Sequence, residues 1–331
     1  MSRRADWREA FTRGWYRGAA WTAFLLPLAW LYGGVVRLRR LAYRRGWLRA
    51  ARVGVPVLVI GNITVGGTGK TPLAAAVTLR LRERGLRPGL AMRGYGGRRV
   101  RRPRRVEAGS DPREFGDEPV LLARRTGCPV AVAPRRAEAA ALLVAAGADV
   151  IVCDDGLQHY ALARDAEIAV VDAARGYGNG RLLPAGPLRE PLSRLLDVDL
   201  SLRQGAGEDV ALQPEPARPV AGPGEARPLA AFAGRRVHAV AGIGDPGRFF
   251  ATLQAAGLTV TPHPFPDHHA FRPGDIRFAD DRPVLMTEKD AVKCGAFADA
   301  RHWYVPVTAH LRTEARARLD ALLDRLLEER S

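Results

Sequence analysis

The residues from Thr64 to Thr71 have the types and spacing of a loop that binds the phosphates of a nucleoside triphosphate. They are Thr64, Val65, Gly66, Gly67, Thr68, Gly69, Lys70 and Thr71, and they follow a short apolar run at 55–60. Glycines let backbone N–H groups face the phosphates, and a helix starting after the loop adds its positive end. In such loops the lysine reaches the β and γ phosphates, and the next threonine ligates Mg²⁺. The usual pattern begins with glycine and here with threonine, but the buried strand before it favours a phosphate loop over a chance turn.

A second chemical signal is the pair of acids, Asp154 and Asp155, that ends the apolar run at 150–153. In phosphate-loop enzymes an acid at the tip of a neighbouring strand holds Mg²⁺, directly or through water. Two adjacent acids cannot both point into one pocket from an ideal strand, so we expect them to divide roles or to sit on a bend. The alternative is that the pair caps a helix.

Two further acid clusters lie outside the nucleotide-binding pattern. Asp117-Glu118 precedes Pro119, and a carboxylate there can accept the proton of an attacking hydroxyl. Taken alone, these two residues favour a helix N-terminus over a catalytic base. In Asp267-His268-His269, His268 can assist a base and Asp267 can fix its tautomer. Two adjacent histidines also suggest a metal site, but no spaced partner motif supports one.

The elements that must position these residues alternate between strands and helices. Apolar runs at 55–60, 88–92, 150–153 and 168–171 predict strands, and helical spacing covers 72–84 and 135–146. This alternation indicates an α/β fold, with a phosphate-loop type of doubly wound parallel sheet at 53–203. Residues 204–311 are expected to form a second, smaller α/β domain, which opens on an irregular Pro- and Gly-rich stretch at 204–229 and resumes with a strand at 237–240, a helix at 248–256 and a strand at 258–260. An amphipathic helix at 312–331 could return to the first domain.

The first 52 residues form a basic and apolar segment. They carry twelve arginines and only two acids, in a chain whose formal net charge is +16. The arginines flank an uncharged run of aromatic and aliphatic residues at 21–36, which is shorter than the roughly 20 residues that span a bilayer. This pattern predicts a helical segment that lies in the interface of an anionic membrane. A transmembrane anchor and a buried core helix are the alternatives, and a cleavable signal peptide is disfavoured.

Composition excludes two other classes of function. The three cysteines, Cys128, Cys153 and Cys294, have neither CxxC nor metal-ligand spacing, which favours reduced thiols in the core. Six arginines at 98–105 suggest a solvated or lipid-facing loop more than a nucleic-acid site, because the positive charge concentrates around the apolar segment and not on one folded face.

Seven segments, in order, resemble the tetraacyldisaccharide 4′-kinase (lipid A 4′-kinase) family. They are GNITVGGTGKTP (61–72), RGYGG (93–97), GDEP (116–119), DDGLQHY (154–160), GNGRLLPAGPLREPL (178–192), FPDHHAF (265–271) and MTEKDAVK (286–293). The resemblance implies two α/β/α domains with the active site between them. It also implies transfer of the γ-phosphate of ATP to the 4′-hydroxyl of a tetraacyldisaccharide 1-phosphate in lipid A biosynthesis. Leu157 stands where the family often has phenylalanine, a change that conserves volume.

The resemblance also implies roles for individual residues. Asp117 would be the catalytic base, supported by His268, with Lys70 acting on the phosphates. ATP and Mg²⁺ are the implied cofactors, and Thr71, Asp154, Asp155 and Glu118 would organise the metal. Weaker assignments around the nucleotide or lipid head group are Tyr95, Arg135, Gln158, His159, Arg189 and Glu190. The role of Glu288-Lys289-Asp290 is not assigned.

The expected setting follows from this substrate. The implied partners are the lipid acceptor and an anionic membrane surface, with no nucleic acid and no obligate protein partner. The expected location is the cytoplasmic face of the inner membrane, in a peripheral or monotopic manner. An alternative reading of the same nucleotide loop is a membrane-bound ATPase switch that binds a protein partner without phosphorylating lipid.

Overall fold

The computed structural model describes residues 11–98 and 100–328, which form two α/β units preceded by a helical segment. Three of the expected segments lie partly outside this description. The residues concerned are 1–10 of the segment 1–52, residue 99 of the loop 98–105, and 329–331 of the helix 312–331.

The larger unit is built on a nine-stranded sheet with β1 at its centre. Its strands are β1 (Val57–Gly61), β2 (Pro88–Met92), β3 (Arg104–Val106), β4 (Val130–Val132), β5 (Val150–Asp154), β6 (Ala166–Asp172), β7 (Leu200–Gln204), β8 (Val210–Pro214) and β14 (Val307–Leu311). The spatial order is β14-β8-β7-β6-β1-β5-β2-β4-β3. Seven central strands are parallel, and only the outer pairs β3–β4 and β14–β8 are antiparallel. Strands buried on both faces read as continuous apolar runs, which is why β1, β2 and β5 were predictable.

Helices cover both faces of this sheet. They are α2 (Lys70–Glu83), the short α3 (Pro112–Phe115), α4 (Asp117–Thr126), α5 (Arg136–Ala145) and α9 (Thr313–Glu328), preceded in the chain by α1 (Leu26–Arg44). The last of these, α9, buries Leu319, Leu322, Leu323 and Leu326 in the same core cluster as Leu58 and Ile60 of β1. The end of the chain therefore completes the core of the unit that binds the phosphates.

The smaller unit has a five-stranded sheet in the order β11-β10-β12-β13-β9. Its elements are β9 (Arg218–Pro219), β10 (Arg236–Ala241), α6 (Pro246–Ala255), β11 (Thr259–Pro264), α7 (Pro273–Ile276), β12 (Val284–Thr287), α8 (Glu288–Cys294) and β13 (His302–Val305). Strands β10 to β13 run parallel, and β9 pairs antiparallel with β13. The strand expected at 237–240 and the helix expected at 248–256 are both present within about two residues of their predicted bounds.

Two expectations about the middle of the chain need correction. The stretch 204–229, expected to be irregular, contains β8 and β9. Residues 210–214 and 307–311 also belong to the larger sheet and not to the second unit expected at 204–311. The reason is an edge ladder in which β14 runs antiparallel along β8, from Val307 opposite Pro214 to Leu311 opposite Val210. Pro- and Gly-rich composition hides such short strands, and β9, which contains Pro219, lies at the edge of its sheet, where proline is tolerated.

The N-terminal segment is a 3₁₀ turn at Ala20–Leu25 followed by the single helix α1. Buried residues are few, namely Thr22 in the turn and Ala29 and Gly33 in the helix, so the expectation of a buried core helix is wrong. An apolar stripe consisting of Phe24, Leu28, Leu31, Val35 and Leu38 is exposed, with Phe24 at 86%. Among the described residues, one stretch, Ala20–Arg44, has the length and mean hydropathy (1.3) that crossing a membrane requires.

Candidate active site

The phosphate loop connects the end of β1 to the start of α2. Gly66 and Gly69 have φ values of 112° and 73°, which glycine adopts without the clash that a Cβ would cause. The loop is fixed from behind by the distinctive segment at 178–192, because the Val65 N–H donates to the Pro187 carbonyl at 2.8 Å. Within the loop region, Asn62 Nδ2 donates to Thr64 Oγ1 at 3.2 Å. The threonine that replaces the usual first glycine is thus a buried hydrogen-bond acceptor.

Lys70 lies at the first position of α2 and is held by two oxygen atoms. Its Nζ donates to Asn62 Oδ1 at 2.9 Å and lies 3.2 Å from Asp155 Oδ1. Arg189 Nη1 lies 3.1 Å from the same Asp155 oxygen. The cations around Asp155 outweigh the effect of its burial and lower the pKa of this carboxyl, so Asp155 remains ionised. Arg189, from the 178–192 segment, therefore belongs to the same charge network as the loop lysine.

Thr71 and Asp154 form the part of the site that suits a divalent cation. Thr71 Oγ1 donates to Asp154 Oδ2 at 2.8 Å, while Asp154 Oδ1 is buried and has no hydrogen-bond partner. Burial, together with the nearby charge of Glu118, raises the pKa of Asp154 to about 7 despite the opposing charge of Lys70. A carboxylate oxygen without a donor next to a threonine hydroxyl fits Mg²⁺, which takes oxygen ligands and completes its shell with phosphates and water. Consistent with so few protein ligands, the described residues contain no group of three His, Cys, Asp or Glu able to hold a metal.

The two adjacent acids are separated by a bend, as their sequence required. Asp154 ends β5, and Asp155 has a φ of 50°, which turns its side chain toward Lys70 and Arg189. Asp154 therefore faces Thr71 and Asp155 faces the cations. Such a left-handed backbone at a non-glycine residue is uncommon and concentrates at functional sites.

Behind these acids lies a partly buried polar network that contains three of the weaker assignments. Gln158 Nε2 donates to the Asn62 carbonyl at 3.0 Å and to Glu190 Oε2 at 2.8 Å, and Tyr160 also donates to Glu190. Burial and nearby arginines lower the pKa of His159 to about 4, so the neutral ring accepts the Arg136 N–H at 3.3 Å. Gln158, His159 and Glu190 thus support the loop and the acids from behind.

Arg135 is not part of this network, and its neighbour Arg136 takes the position instead. The Arg135 side chain is 79% exposed and pairs with Glu138 at 3.8 Å. Arg136 is buried, and its Nη2 donates to the carbonyls of Asp155 at 2.8 Å and Asp154 at 3.2 Å. The two arginines are adjacent at the start of α5 and point in different directions, and residue spacing alone does not show which of them faces the acids.

Asp117 and His268, 151 residues apart, meet across the two units. His268 Nδ1 lies 3.0 Å from Asp117 Oδ1 and 3.1 Å from Oδ2. Burial by itself would raise the pKa of Asp117, but the His268 hydrogen bond and the charges of Lys289 and Lys293 lower it to about 2. Burial lowers the pKa of His268, but the hydrogen bond to Asp117 and the charges of Asp117 and Asp267 together raise it above its usual value. The N-terminus of α4 is capped by Gly116, not by Asp117, although Asp117 Oδ1 also accepts the Glu118 N–H at 2.9 Å.

Lys289 of α8 gathers the remaining acids of the cleft. Its Nζ lies 3.0 Å from Glu118 Oε1, 3.1 Å from Asp267 Oδ1 and 3.4 Å from His268 Nε2. These carboxylates outweigh burial and raise the pKa of Lys289. The Tyr95 ring is 65% exposed and contacts His268 edge-on at 5.0 Å between centroids. Glu118, expected near the metal, is therefore bound to a lysine that sequence reasoning left without a role.

A small cleft, with a volume of about 50 Å³, opens between the two units beside this pair. Its walls include Gly96, Arg113 and Asp117 from the larger unit and His268, Phe271 and Lys293 from the smaller one. The smaller unit also reaches the phosphate loop: a Cβ on Gly244 would lie 3.4 Å from the Gly67 nitrogen and 3.7 Å from Asp267 Oδ2. The smaller unit therefore lies beside both the phosphate loop and the Asp117–His268 pair.

Sequence reasoning missed Arg136, Lys289 and Lys293. The signal that pointed to the lysines was their rarity, since the chain uses arginine for nearly all of its 51 basic side chains and places two of its few lysines in MTEKDAVK at 286–293. No local pattern showed that α8 would face Asp117, because that contact depends on how the two sheets pack.

Comparison with known proteins gives one consistent result. A family model described as tetraacyldisaccharide-1-P 4′-kinase (LpxK) matches residues 21–327. A tetraacyldisaccharide 4′-kinase of Alkalilimnicola ehrlichii is 59% identical over 92% of this chain and 94% of its own length. One from Stenotrophomonas maltophilia is 52% identical over 94% and 96%. A crystal structure described as "apo" form LpxK from Aquifex aeolicus in complex with ATP has a TM-score of 0.77 and 27% identity, covering 92% of this chain and 99% of that one.

Proposed function

The chain belongs to the tetraacyldisaccharide 4′-kinase family, and on that premise we propose how its own residues carry out the reaction. It is an ATP-dependent lipid kinase: it transfers the γ-phosphate of ATP to the 4′-hydroxyl of a tetraacyldisaccharide 1-phosphate, a step of lipid A biosynthesis. The observation that carries the proposal is the Asp117–His268 pair, which lines the cleft beside the phosphate loop. A membrane-bound ATPase switch would need no such pair, and the comparisons do not favour it.

Binding of the triphosphate is assigned to the loop and to α2. The backbone N–H groups of residues 64–71 cradle the phosphates, and Lys70 exchanges Asn62 and Asp155 for phosphate oxygens. Thr71 and Asp154 would hold Mg²⁺, which when bound neutralises charge on the phosphates. Asp155 remains ionised beside Arg189 and guides the lysine to its position. Glu118 is held by Lys289, and its charge raises the pKa of Asp154, so it contributes to the negative charge beside the proposed metal site.

Asp117 is assigned as the base that receives the proton of the 4′-hydroxyl. Its pKa of about 2 keeps it ionised at neutral pH, so it is always ready to accept a hydrogen bond from the acceptor alcohol. A weak base suffices, because a loose phosphoryl-transfer transition state depends mainly on positioning and on charge neutralisation. His268 orients the carboxylate from the smaller unit. Closure of the two units around the acceptor would exclude water and limit ATP hydrolysis.

The lipid acceptor is proposed to reach the cleft from a membrane surface. The exposed stripe of Phe24, Leu28, Leu31, Val35 and Leu38 can enter the acyl region, and arginines beside it can bind lipid phosphates. The helix is also tied to the nucleotide site, because Tyr32 OH donates to the carbonyl of Arg189 at 2.9 Å. Because the site needs ATP, we assign the protein to the cytoplasmic face of the inner membrane, where α1 lies in the interface.

The kinase assignment is tested with purified protein, Mg-[γ-³²P]ATP and tetraacyldisaccharide 1-phosphate. We expect labelled lipid from the wild type, and a loss of turnover in Asp117→Asn and His268→Ala of about 10²-fold or more with little change in ATP affinity. Asp299→Asn is the matched control, since it removes another carboxylate that pairs with a histidine, at 2.8 Å, outside the cleft. Intact ATPase activity without labelled lipid would favour the switch, and equal losses of ATP binding in both variants would remove the assignment of Asp117 and His268.

The membrane assignment is tested with vesicles that contain phosphatidylglycerol. Leu31→Glu should weaken co-sedimentation, and Leu31→Phe should not, because both change the same exposed position but only one adds a charge to the apolar stripe. Alkaline carbonate should release the wild type from the vesicles. Protein that remains after carbonate treatment would instead indicate that the helix spans the bilayer.

A further inference from the structure

We infer that Lys293 is a positioning residue for Asp117, and this inference rests on the proposed role of Asp117 as the base. Lys293 lies on α8 of the smaller unit, and its Nζ is 3.5 Å from Asp117 Oδ2 and 2.9 Å from Asp290 Oδ1. The ammonium is buried from solvent, with 10% of the side chain exposed, and it makes no hydrogen bond, so its contacts with the two carboxylates are ion pairs. It therefore bridges a carboxylate of its own unit and the proposed catalytic carboxylate of the other unit.

The ammonium is fixed in place because Asp290 is fixed first. Asp290 is fully buried, and its Oδ2 accepts the Gly242 N–H at 2.8 Å and the Thr287 hydroxyl at 2.6 Å. These two bonds leave Oδ1 to face Lys293. The ammonium also lies over the Phe271 ring, with Nζ 5.0 Å from its centroid. The charged end of Lys293 is therefore placed by both a buried carboxylate and an aromatic ring.

Lys293 contributes to fixing the rotation of the Asp117 carboxylate, which the His268 contact does not set. His268 Nδ1 lies at nearly equal distances, 3.0 and 3.1 Å, from the two carboxylate oxygens, so the histidine alone does not set the rotation of the carboxylate. The Glu118 N–H binds Oδ1 at 2.9 Å. Lys293 lies beside Oδ2, and together the two contacts distinguish the oxygens and fix the plane of the group. A fixed plane aims one lone pair at the acceptor hydroxyl, and reaction rates depend steeply on such alignment.

The neighbouring lysine on α8 does not duplicate this role. Lys289, one turn earlier, binds Glu118 and Asp267. The helix therefore presents one lysine to each acid of the Asp117-Glu118 pair.

The competing explanation is that Lys293 only neutralises the buried charge of Asp290 and so maintains the fold. The two explanations differ in what happens when both charges are removed together. A neutral pair of similar volume often preserves stability as well as a buried ion pair does. If Lys293 acts through Asp117, removing both charges must still impair turnover.

The experiment measures steady-state kinetics of the full-length protein with lipid acceptor and Mg-ATP, together with thermal unfolding. Lys293→Met should lower kcat by at least about tenfold and change KM for Mg-ATP by less than about twofold, since a positioned base contributes 10²–10⁴-fold. In an Asp117→Asn background, Lys293→Met should lower kcat by less than about twofold, because residues that act as a unit are not additive. Multiplicative losses, or a normal kcat in Lys293→Met, would overturn the inference.

The variant Lys293→Met/Asp290→Asn covers the case in which the single substitution fails to fold. It should unfold near the wild-type temperature and still show the tenfold loss of kcat, and recovery of wild-type turnover would leave Lys293 a purely structural role. Glu288→Gln is the control on the same helix, because Glu288 pairs with Arg125 at 2.6 Å and not with the acids of the cleft, and its kcat should be unchanged. Absence of labelled lipid from the wild type would refute the kinase function itself, an outcome separate from any result on Lys293.

Discussion

Asp154 is expected to destabilise the protein when no nucleotide is bound, and Asp154→Asn should relieve that cost. Burial and the charge of Glu118 raise the pKa of Asp154 from 3.8 to about 7. A shift of about three pH units corresponds to at most about 4 kcal/mol of lost folding free energy once the group is ionised in both states. The cost is fully present above pH 7, and it declines as pH falls toward 4, because the folded state then binds a proton that the unfolded state does not. At pH 5 less than half of this cost should remain.

The assay is urea unfolding of wild type and Asp154→Asn at pH 8.5 and pH 5, with EDTA and without nucleotide. The difference in unfolding free energy between the two proteins should grow by about 3 kcal/mol from pH 5 to pH 8.5, in favour of the variant. Hydrogen bonds made by the new amide do not titrate, so they shift both values equally. Asp155→Asn is the matched control at the neighbouring residue, and its effect on stability should have the opposite sign. Because cations lower the pKa of Asp155, loss of its charge should destabilise the folded protein at both pH values. A difference for Asp154→Asn that does not change with pH would refute the reasoning.

Three further predictions concern glycines. Gly96 has a φ of 83°, and a Cβ there would lie 3.1 Å from His268 Nδ1. Gly96→Ala should therefore lower kcat at least about tenfold and change ATP affinity less than about twofold. Gly109 has open space around it, so Gly109→Ala should leave both kcat and ATP affinity unchanged. In Gly186→Ala the new Cβ would lie 2.3 Å from the Arg181 carbonyl oxygen, next to the Pro187 carbonyl that holds the phosphate loop. We expect a loss of about 1–3 kcal/mol in urea unfolding and weaker ATP binding by fluorescence titration, and unchanged values of both would contradict that support. Gly34 of α1 has open space around it, so Gly34→Ala should raise the unfolding free energy by up to about 1 kcal/mol and leave turnover unchanged; a loss of stability would show a hidden contact.

The strands that carry the phosphate loop and the acid pair were predictable because they are buried on both faces. Val57–Gly61 and Val150–Asp154 read as short apolar runs bounded by turn residues, and local composition is enough to identify such strands. The two outermost strands on one side of the larger sheet, Val210–Pro214 and Val307–Leu311, were not predictable, since the first ends in proline and their pairing links residues almost a hundred positions apart. The arginines around the apolar run at 21–36 predicted an interfacial helix, but the sequence did not show which side chains of α1 would be exposed.

The candidate site was likewise predictable where its residues are contiguous in the chain, and not where they meet through the packing of the two units. The residues of the phosphate loop are contiguous, so their mutual placement follows from one strand, one turn and one helix. Asp117 and His268 were identified as chemical groups, but their contact depends on the packing of two sheets, and the residues alone favoured a helix N-terminus for Asp117. Arg136 was missed by one residue of helix phase, and Lys293 was missed because nothing near it in the chain indicates a carboxylate from the other unit.

The return of α9 to the first sheet has a consequence for how the protein is made. Leu319, Leu322 and Leu323 complete a core that begins with Leu58 on β1, and Asp117 finds His268 and Lys293 in the second half of the chain. A chain still on the ribosome therefore carries the phosphate loop long before it has the groups that use it. The core beneath the phosphate loop is therefore complete only after residues 313–328 have been synthesised.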